Sequence, residues 1–427
     1  MKSESLAKVF RFVVILGGIL AVISASYKMI HSPLATGDME SYLHAAHSIL
    51  DGQDIYATPS RPLQEGGLYY IYPPLLAVLF IPLAVLPVSL SIVLWSVFNV
   101  LLLAWVVSAF YEAMTGASLS ALKFHERWTI VFFALLPPSR FILHHLFYGQ
   151  ANILIMAMTV VGLKQLNAQK SGRGALSIGL SVAVKVLTYP LTLWFLLKRN
   201  VKAVLGIVGG TAVGLLLPAL VVGFGANWNY LVEWFRTIAL SPGANNGKVP
   251  MYVNVSLQAQ LYRFFGDAAG FIYQGRPHYL TVYQLPNSTL HVIEAALPLL
   301  MLAVIVVYWY MFRKAGELVS HWGGVALIMA LISVFTPFAQ KHYLVFVVPA
   351  FVFLVHVWYR IELHDRWFHE LVIASAVLLI FTNEAICGEY LGAVFTGVGA
   401  MAAGVVFACA AIFRAASCLT STEGIVV

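Results

Sequence analysis

Long apolar runs recur along almost the whole chain, separated by shorter polar segments. The runs cover residues 9–30, 73–87, 89–112, 128–148, 150–166, 174–197, 201–223, 291–312, 322–337, 341–360, 370–386 and 390–413. About 20 mainly apolar residues cross a bilayer as a helix, and these runs lack the alternation of barrel strands. The pattern predicts an all-α polytopic membrane protein. Because several runs are short or contain proline, we expect ten to thirteen transmembrane helices in a single domain, residues 1–427.

Basic residues between the runs predict the orientation, because cytoplasmic loops carry an excess of Lys and Arg. Basic clusters precede the first run and occur at 170–174, 198–202, 312–314 and 359–366. The long segments 31–72 and 224–290 are then extracytoplasmic loops, and long loops often carry function. This orientation places both long loops, where an active site is expected, on the extracytoplasmic side.

One apolar run conflicts with this orientation, because 174–197 lies between two basic clusters. Lys185 and Pro190 interrupt the middle of this run. A broken helix is tolerated at membrane depth where it lines a cavity enclosed by protein. We therefore predict two half-helices here. Whether the chain changes sides of the membrane around 113–127 stays open.

Composition and charge agree with the membrane class. Hydrophobic residues make up 60% of the 427 and charged residues 10%, against about a quarter charged in a typical soluble domain. The net charge of +7 reflects topology rather than nucleic-acid binding. The three cysteines lack metal-ligand spacing. The first run is long for a signal peptide and predicts an uncleaved anchor.

The stretch 35–56, after the first run, carries four carboxylates, Asp38, Glu40, Asp51 and Asp54. Apolar residues from 39 to 50 recur with helical spacing, so 38–50 is predicted to be an amphipathic helix along the membrane surface. Asp38 lies in its first turn, where a carboxylate also simply favours the positive end of the helix dipole. Asp51 and Asp54 have the character of solvated turn residues.

Several motifs occur together in an order that resembles a known family. They are Asp38…Tyr42…Ala46…Gly52…Tyr56, YIYPPLLAVLFIPLAVLP (70–87), LWSVFN (94–99), GQANILIMAM (149–158), the lysine–proline segment 174–200, NVSL (254–257) and FTPFAQKHYLVFVVPA (335–350). This pattern resembles glycosyltransferases of the GT-C superfamily, and more narrowly glycosyltransferase family 87. That family includes polyprenol-phosphate-mannose-dependent mannosyltransferases of the phosphatidylinositol mannoside type.

The chain departs from the family pattern at four positions. Thr336 replaces the usual serine, Gln340 the usual tryptophan, Tyr343 a second histidine, and Val253 the glycine before the Asn-x-Ser element. These differences affect the expected acceptor more than the expected fold.

The resemblance implies that a sugar, mannose in the first instance, passes from a polyprenyl-phosphate donor to a hydroxyl of a glycolipid or glycan acceptor. Asp38 matches the catalytic aspartate of the family, with the role of general base in an inverting transfer. Glu40 is turned about 200° away from Asp38 on a helix. No cofactor is required on this reading, and a divalent metal is possible but not indicated, because the histidines form no HExxH pattern.

The leaving phosphate needs cations or hydrogen-bond donors. Candidates are Lys185, Arg140, His144, Lys341 and His342, the last of which matches a family histidine. An ionisable residue within a span is a functional hypothesis by default, although Lys185 alternatively snorkels to the interface. Lys341 and His342 alternatively form an interfacial pair that sets the helix register.

Candidates for sugar or acceptor binding are Tyr72, Gln150, Asn152, Asn254 and Ser256. Each has a simpler structural alternative. Tyr72 lies in an aromatic cluster typical of membrane interfaces, and Gln150 and Asn152 also suit a helix start.

Two other functions remain open. One is a flippase or transporter of a lipid-linked saccharide, for which the charges would line a path through the membrane. The other is a glycan polymerase or ligase with a diphosphate-linked donor, for which the arginines and the histidine of the 224–290 loop are suggestive.

Overall fold

The computed structural model describes residues 2–32, 37–63, 67–168, 171–239 and 252–423. Residues 240–251 of the second long predicted loop lie outside the described residues. So do 33–36 and 64–66 of the first loop and Lys170 of the basic cluster 170–174.

The chain forms two compact units, each built from separated stretches of sequence. Unit 1 comprises Met1–Val14, Phe110–Ile142 and Val249–Val427, and unit 2 comprises Ile15–Ala109 and Leu143–Lys248.

Helices make up nearly all of the regular structure. The first twelve α-helices are α1 (Lys2–His31), α2 (Gly37–Leu50), α3 (Pro74–Ala84), α4 (Val88–Thr115), α5 (Phe124–Leu135), α6 (Ser139–Phe147), α7 (Asn152–Asn167), α8 (Ser171–Val184), α9 (Pro190–Leu197), α10 (Val201–Leu216), α11 (Ala219–Val222) and α12 (Phe224–Glu233). The remaining α-helices are α13 (Leu257–Phe265), α14 (Asn287–Phe312), α15 (Gly324–Phe335), α16 (Val348–Tyr359), α17 (Arg366–Phe381), α18 (Glu384–Cys387), α19 (Glu389–Gly397) and α20 (Ala400–Glu423). Leu119–Ala121 and Lys341–Val347 are 3₁₀ segments, and Trp234–Ala239 and Leu318–Gly323 are π-helical.

The chain is a polytopic membrane protein, and the expected number of ten to thirteen spans stays a prediction. Within the described residues, seven helices are long and apolar enough to cross a membrane, or eight if the bent pair α5 and α6 counts as one span. The axes of α5 and α6 differ by 63°. The other apolar runs fold into shorter helices, such as the 11-residue α3. Hydropathy detects an apolar run but not the proline or turn that shortens its helix.

Among the residues that the structure describes, the all-α class holds except for one short hairpin. Strands β1 (Ala269–Tyr273) and β2 (Arg276–Tyr279) pair antiparallel, with Phe271 opposite His278. Gln274 and Gly275 both have positive φ, at 49° and 73°. Two such residues make the turn that matches the twist of paired strands.

In unit 2, α8 packs against α7 and α10 with backbones in direct contact. A methyl group at Gly162 would lie 2.7 Å from the Gly174 oxygen, and one at Gly210 would lie 2.3 Å from the Leu176 oxygen. Small residues allow membrane helices to approach this closely. The predicted break in the run 174–197 is present, since α8 ends at Val184 and α9 begins at Pro190. Lys185 is therefore the first residue after a tightly held helix.

In unit 1, α15 and α16 are almost completely buried. Ser375 on α17 donates to the Gly404 oxygen on α20 at 2.7 Å. Asp365 caps α17 by accepting from the Phe368 amide at 2.8 Å and also receives two hydrogen bonds from Arg414 on α20. Charged hydrogen bonds thus fix the start of α17.

Candidate functional site

The first turn of α2 packs against the segment that precedes α7. The Met39 amide donates to the Tyr148 oxygen at 3.3 Å. Gly149 has a φ of +56°, and a methyl group there would lie 2.4 Å from the Met39 Cβ. Glycine is the residue that adopts this backbone conformation without strain and leaves this space open. The close contact places Asp38 beside Gln150.

Asp38 is held at both carboxylate oxygens. The Tyr72 hydroxyl donates to Oδ1 at 2.9 Å, and the Gln150 amide nitrogen donates to Oδ2. Tyr72 is itself ordered, because its ring packs edge-on against Tyr42 with centroids 5.3 Å apart and its backbone oxygen accepts from the Tyr56 hydroxyl at 2.8 Å. A carboxylate offers about four lone-pair sites, so both oxygens retain capacity for a further donor.

Lys185 shares its partners with Asp38. Its ammonium donates to the Asn152 side-chain oxygen at 3.0 Å and to the Gln150 side-chain oxygen at 3.4 Å. It also lies 4.9 Å from the centroid of the Tyr72 ring, in the range of a cation–π contact. The residue is 4% exposed. This buried position and its polar partners contradict the alternative that Lys185 snorkels to the interface.

Gln150 links the two charges. Its side-chain oxygen accepts from Lys185 and from the Tyr42 hydroxyl at 3.3 Å, while its nitrogen donates to Asp38. This pattern assigns the amide orientation, since the oxygen faces two donors and the nitrogen faces an acceptor. Five candidates from the sequence thus form one cluster, which we call the Asp38 cluster: Asp38, Tyr72, Gln150, Asn152 and Lys185.

The electrostatics of Asp38 reflect two opposing effects. Burial raises the pKa of the Asp38 carboxyl above its ordinary value, because desolvation disfavours the charged form. The positive charge of Lys185 and the hydrogen bond from Tyr72 lower the pKa and offset part of that rise. A carboxylate with a raised pKa is a stronger base than one in water.

The neighbouring carboxylates have other partners. Glu40 pairs with Arg61 at 3.1 Å, and Asp54 accepts from the Tyr56 amide at 3.0 Å, as in a turn. Asp51 is exposed at the end of α2. Of the four carboxylates in this segment, Asp38 is the one in the cluster.

Two residues on α4 contact the neighbours of Gln150 and were not among the candidates from the sequence. The Trp95 indole donates to the Gly149 oxygen at 2.9 Å, and the Asn99 side-chain oxygen lies 3.1 Å from the ring nitrogen Nε2 of the buried His145. Trp95 and Asn99 are four residues apart on α4, so they share one face. The LWSVFN motif contains both and offered the signal, although it suggested no role for them.

The remaining candidates have partners of their own. His144 stacks on Tyr148 with ring centroids 4.5 Å apart, in unit 2. In unit 1, Arg140 donates to the Thr382 hydroxyl at 2.9 Å, and Lys341 lies 3.4 Å from Glu384. His342 is 2% exposed.

Asn254 and Ser256 are buried, and their side chains form hydrogen bonds with backbone groups. The Asn254 amide donates to the Pro337 oxygen at 2.7 Å and accepts from the Ser256 amide at 3.0 Å. The Ser256 hydroxyl accepts from the Ala259 amide and so caps α13. Arg263 donates to the Asn254 oxygen at 2.7 Å. These contacts stabilise the segment before α13.

Among the described residues, no set of three or more His, Cys, Asp or Glu side chains is arranged to hold a metal ion. The chemistry available in the Asp38 cluster is that of a carboxylate base, an ammonium and several hydrogen-bond donors.

The fold and the cluster define a multi-pass membrane protein in which a carboxylate and a buried cation are joined by hydrogen bonds. The sequence profile of glycosyltransferase family 87 matches residues 70–337, well over half of the chain, and the chain belongs to this family. The resemblance inferred from its motifs is therefore confirmed. The matched range contains Gln150, Asn152 and Lys185 but begins after Asp38.

Two curated relatives carry the same name, polyprenol-phosphate-mannose-dependent alpha-(1-2)-phosphatidylinositol mannoside mannosyltransferase. The protein from Mycobacterium tuberculosis is 27% identical over 227 residues, which cover 49% of this chain and 49% of the relative. The protein from Mycolicibacterium smegmatis is 24% identical over 369 residues, 83% of this chain and 77% of the relative. The match thus spans about half the length of the first relative.

Proposed function

We propose that this protein is a glycosyltransferase that moves a mannosyl group from a polyprenyl-phosphate donor to a hydroxyl of a glycolipid or glycan, with Asp38 as general base. The observation that carries the proposal is the pairing of Asp38 and Lys185 through Gln150. A carboxylate and a cation that share one amide provide a base for an acceptor and a counter-charge for a phosphate in the same cluster. The names of the two relatives support the donor and the phosphatidylinositol mannoside class of acceptor.

In the proposed reaction, Asp38 takes the proton of the acceptor hydroxyl as its oxygen attacks the anomeric carbon. The bond from that carbon to the phosphate oxygen breaks, and its electron pair leaves with the polyprenyl phosphate. Attack opposite the leaving group inverts the anomeric configuration. The Tyr72 hydroxyl and the Gln150 amide keep the carboxylate in place, because each donates to one of its oxygens.

Lys185 is the first candidate for the departing phosphate, because its ammonium is buried and already points at polar partners. A cation at the leaving group stabilises the charge that develops there. His144, in the same unit as Lys185, is proposed as a further phosphate ligand. Arg140, Lys341 and His342 stay candidates from the sequence. Tyr72, Gln150 and Asn152 are proposed to contact sugar hydroxyls. With the lysine in this role the transfer requires no metal.

The proposed setting follows from the same reading of the chain. The spans are arranged as a GT-C fold in the cytoplasmic membrane of a bacterium, and the segment with Asp38 faces the extracytoplasmic side. Its substrates are then a lipid-linked donor and an acceptor in the outer leaflet. The short helix α2, whose buried face includes Met39, Tyr42 and Ile49, lies along that surface.

The test is mannosyl transfer by the purified protein in nanodiscs, with polyprenyl-phosphate mannose and extracted phosphatidylinositol mannosides. Asp38→Asn is expected to reduce the rate by at least about 100-fold, the lower part of the range for loss of a general base. Glu40→Gln on the same helix is the matched control, since Glu40 pairs with Arg61 outside the cluster. Both variants must retain donor binding.

Three outcomes would contradict the proposal. Equal rates for wild type and Asp38→Asn would show that Asp38 is not the general base. Transfer with a diphosphate-linked donor but not with the monophosphate would favour a polymerase or ligase. Absence of transfer together with movement of lipid-linked saccharide across the same vesicles would favour a flippase.

A further inference from the structure

A cavity with two parts lies within unit 1, between α5, α16 and α17. One part is an apolar groove of about 350 Å³. Its walls include Phe133, Val355, Trp358, Ile373, Ala376 and Ile380. The other part is a polar pocket of about 410 Å³. Its walls include His125, Glu126, Arg360, Glu362, His364 and His369.

The two parts adjoin each other, because Trp358 and Tyr359 line both. These residues end α16, and the polar residues lie at the start of α5, after α16 and at the start of α17. All of the polar residues thus lie at one end of the three helices. The groove runs from there along α16 to Phe351, a length of about 12 Å at 1.5 Å per residue. An apolar groove with a polar pocket at one end matches a lipid with its headgroup.

The groove is open to a bilayer. Phe133 is 43% exposed and Ile373 is 52% exposed, although both belong to apolar helices. Neighbouring helices leave these side chains partly uncovered. An acyl chain lying over them would add dispersion contacts with the groove wall. Ala376 also lines the groove, where its small side chain leaves room.

The polar pocket holds charges of both signs. Arg360 pairs with Glu126, and Glu362 is exposed with a φ of +56°. His369 stacks on Trp358 with ring centroids 4.3 Å apart and orders the wall between pocket and groove. Arg360 and the histidines offer donors to a phosphate, whereas Glu362 offers an acceptor to an ammonium. This mixture complements a zwitterionic headgroup better than a purely anionic one.

We propose that this cavity binds one phospholipid with an ammonium–phosphate headgroup, its acyl chain in the groove and its headgroup in the pocket. Under the orientation proposed above, the basic segment 359–366 places this lipid in the cytoplasmic leaflet. The site is proposed to have a structural role and no part in the transfer reaction. Its test therefore measures bound lipid and not activity.

The test is native mass spectrometry of the full chain after delipidation and titration with phosphatidylethanolamine or phosphatidylglycerol of identical acyl chains. Wild type is expected to retain one phosphatidylethanolamine. Phosphatidylglycerol is expected to bind about tenfold more weakly, because it lacks the ammonium and so loses one charged hydrogen bond. Ala376→Trp, which fills the groove, is expected to lose this lipid. Ala374→Trp, a matched change on α17 outside the groove lining, is expected to keep it.

A second variant tests the headgroup without touching the core. Glu362 and His364 are both exposed, so the double variant Glu362→Gln with His364→Ala leaves the helices intact. It is expected to lose the preference for phosphatidylethanolamine while the groove still accepts a chain. Equal retention of the two lipids by wild type would overturn the proposal. Undiminished retention of phosphatidylethanolamine in Ala376→Trp, or an unchanged preference in the double variant, would also overturn it.

Discussion

The side chain of Gln150 donates to the carboxylate of Asp38 across 112 residues of sequence. The same amide accepts from Lys185 through its oxygen. A neutral residue therefore holds the base and the cation of the Asp38 cluster at a set separation. Each charge depends on this amide for part of its hydrogen bonding.

Gln150→Glu is expected to lower the rate of mannosyl transfer about 10- to 100-fold while the protein stays folded. The new carboxylate faces Asp38 in place of a donor, and the loss of a hydrogen bond to a charged group costs about 1.5–3 kcal/mol. Transfer rates at saturating donor measure the effect. Gln53→Glu, an exposed change in the loop after α2, is the control. Equal losses in both variants would show that Gln150 has no special role.

Lys185→Met is expected to move the acidic limb of the pH–rate profile to higher pH. The positive charge of Lys185 lowers the pKa of Asp38, so its removal raises that pKa further. Asp38 acts as a base only when ionised, so activity is present above its pKa and is lost as the pH falls through it. Transfer rates between about pH 4 and 9 measure the shift. An acidic limb at the wild-type pH would mean that Lys185 does not act on Asp38.

Gly149→Ala is expected to destabilise the protein and reduce transfer together. The positive φ costs about 1–2 kcal/mol for a residue with a Cβ, and the methyl group would also meet Met39. Gly52→Ala separates these effects, because Gly52 has a φ of +67° with open space around it. Thermal unfolding and transfer rates of both variants are the measurement. Equal stability of the two would argue against the contact with Met39.

Asn254→Asp is expected to lower thermal stability with little change in the KM for the acceptor. The substitution removes the donor to the Pro337 oxygen and leaves two buried acceptors facing each other, at about 1–3 kcal/mol. Asn287→Asp, at the exposed start of α14, is the control. A raised KM at unchanged stability would instead assign Asn254 to acceptor binding, as the sequence suggested.

Much of this architecture follows from sequence patterns, because burial in a membrane demands long apolar helices. The break at Lys185 and Pro190 and the helix that begins near Asp38 were both predictable from local residues. The bridge through Gln150 was not, since it joins residues more than 100 positions apart. The ion pair of Glu40 with Arg61 and the hairpin at Gln274 and Gly275 were also not predicted. The number of spans stays a prediction, because helix length depends on breaks that hydropathy averages over.

The division of the chain into interleaved stretches has a consequence for biosynthesis. Every residue of unit 2, and with it the whole Asp38 cluster, has been synthesised once the ribosome passes residue 248. Unit 1 begins earlier, with residues 1–14 and 110–142, but needs the stretch after 249 for most of its helices. Units tend to fold as they emerge during synthesis. The inserted stretches of the nascent chain therefore complete unit 2 first, while unit 1 still lacks the helices that follow residue 249.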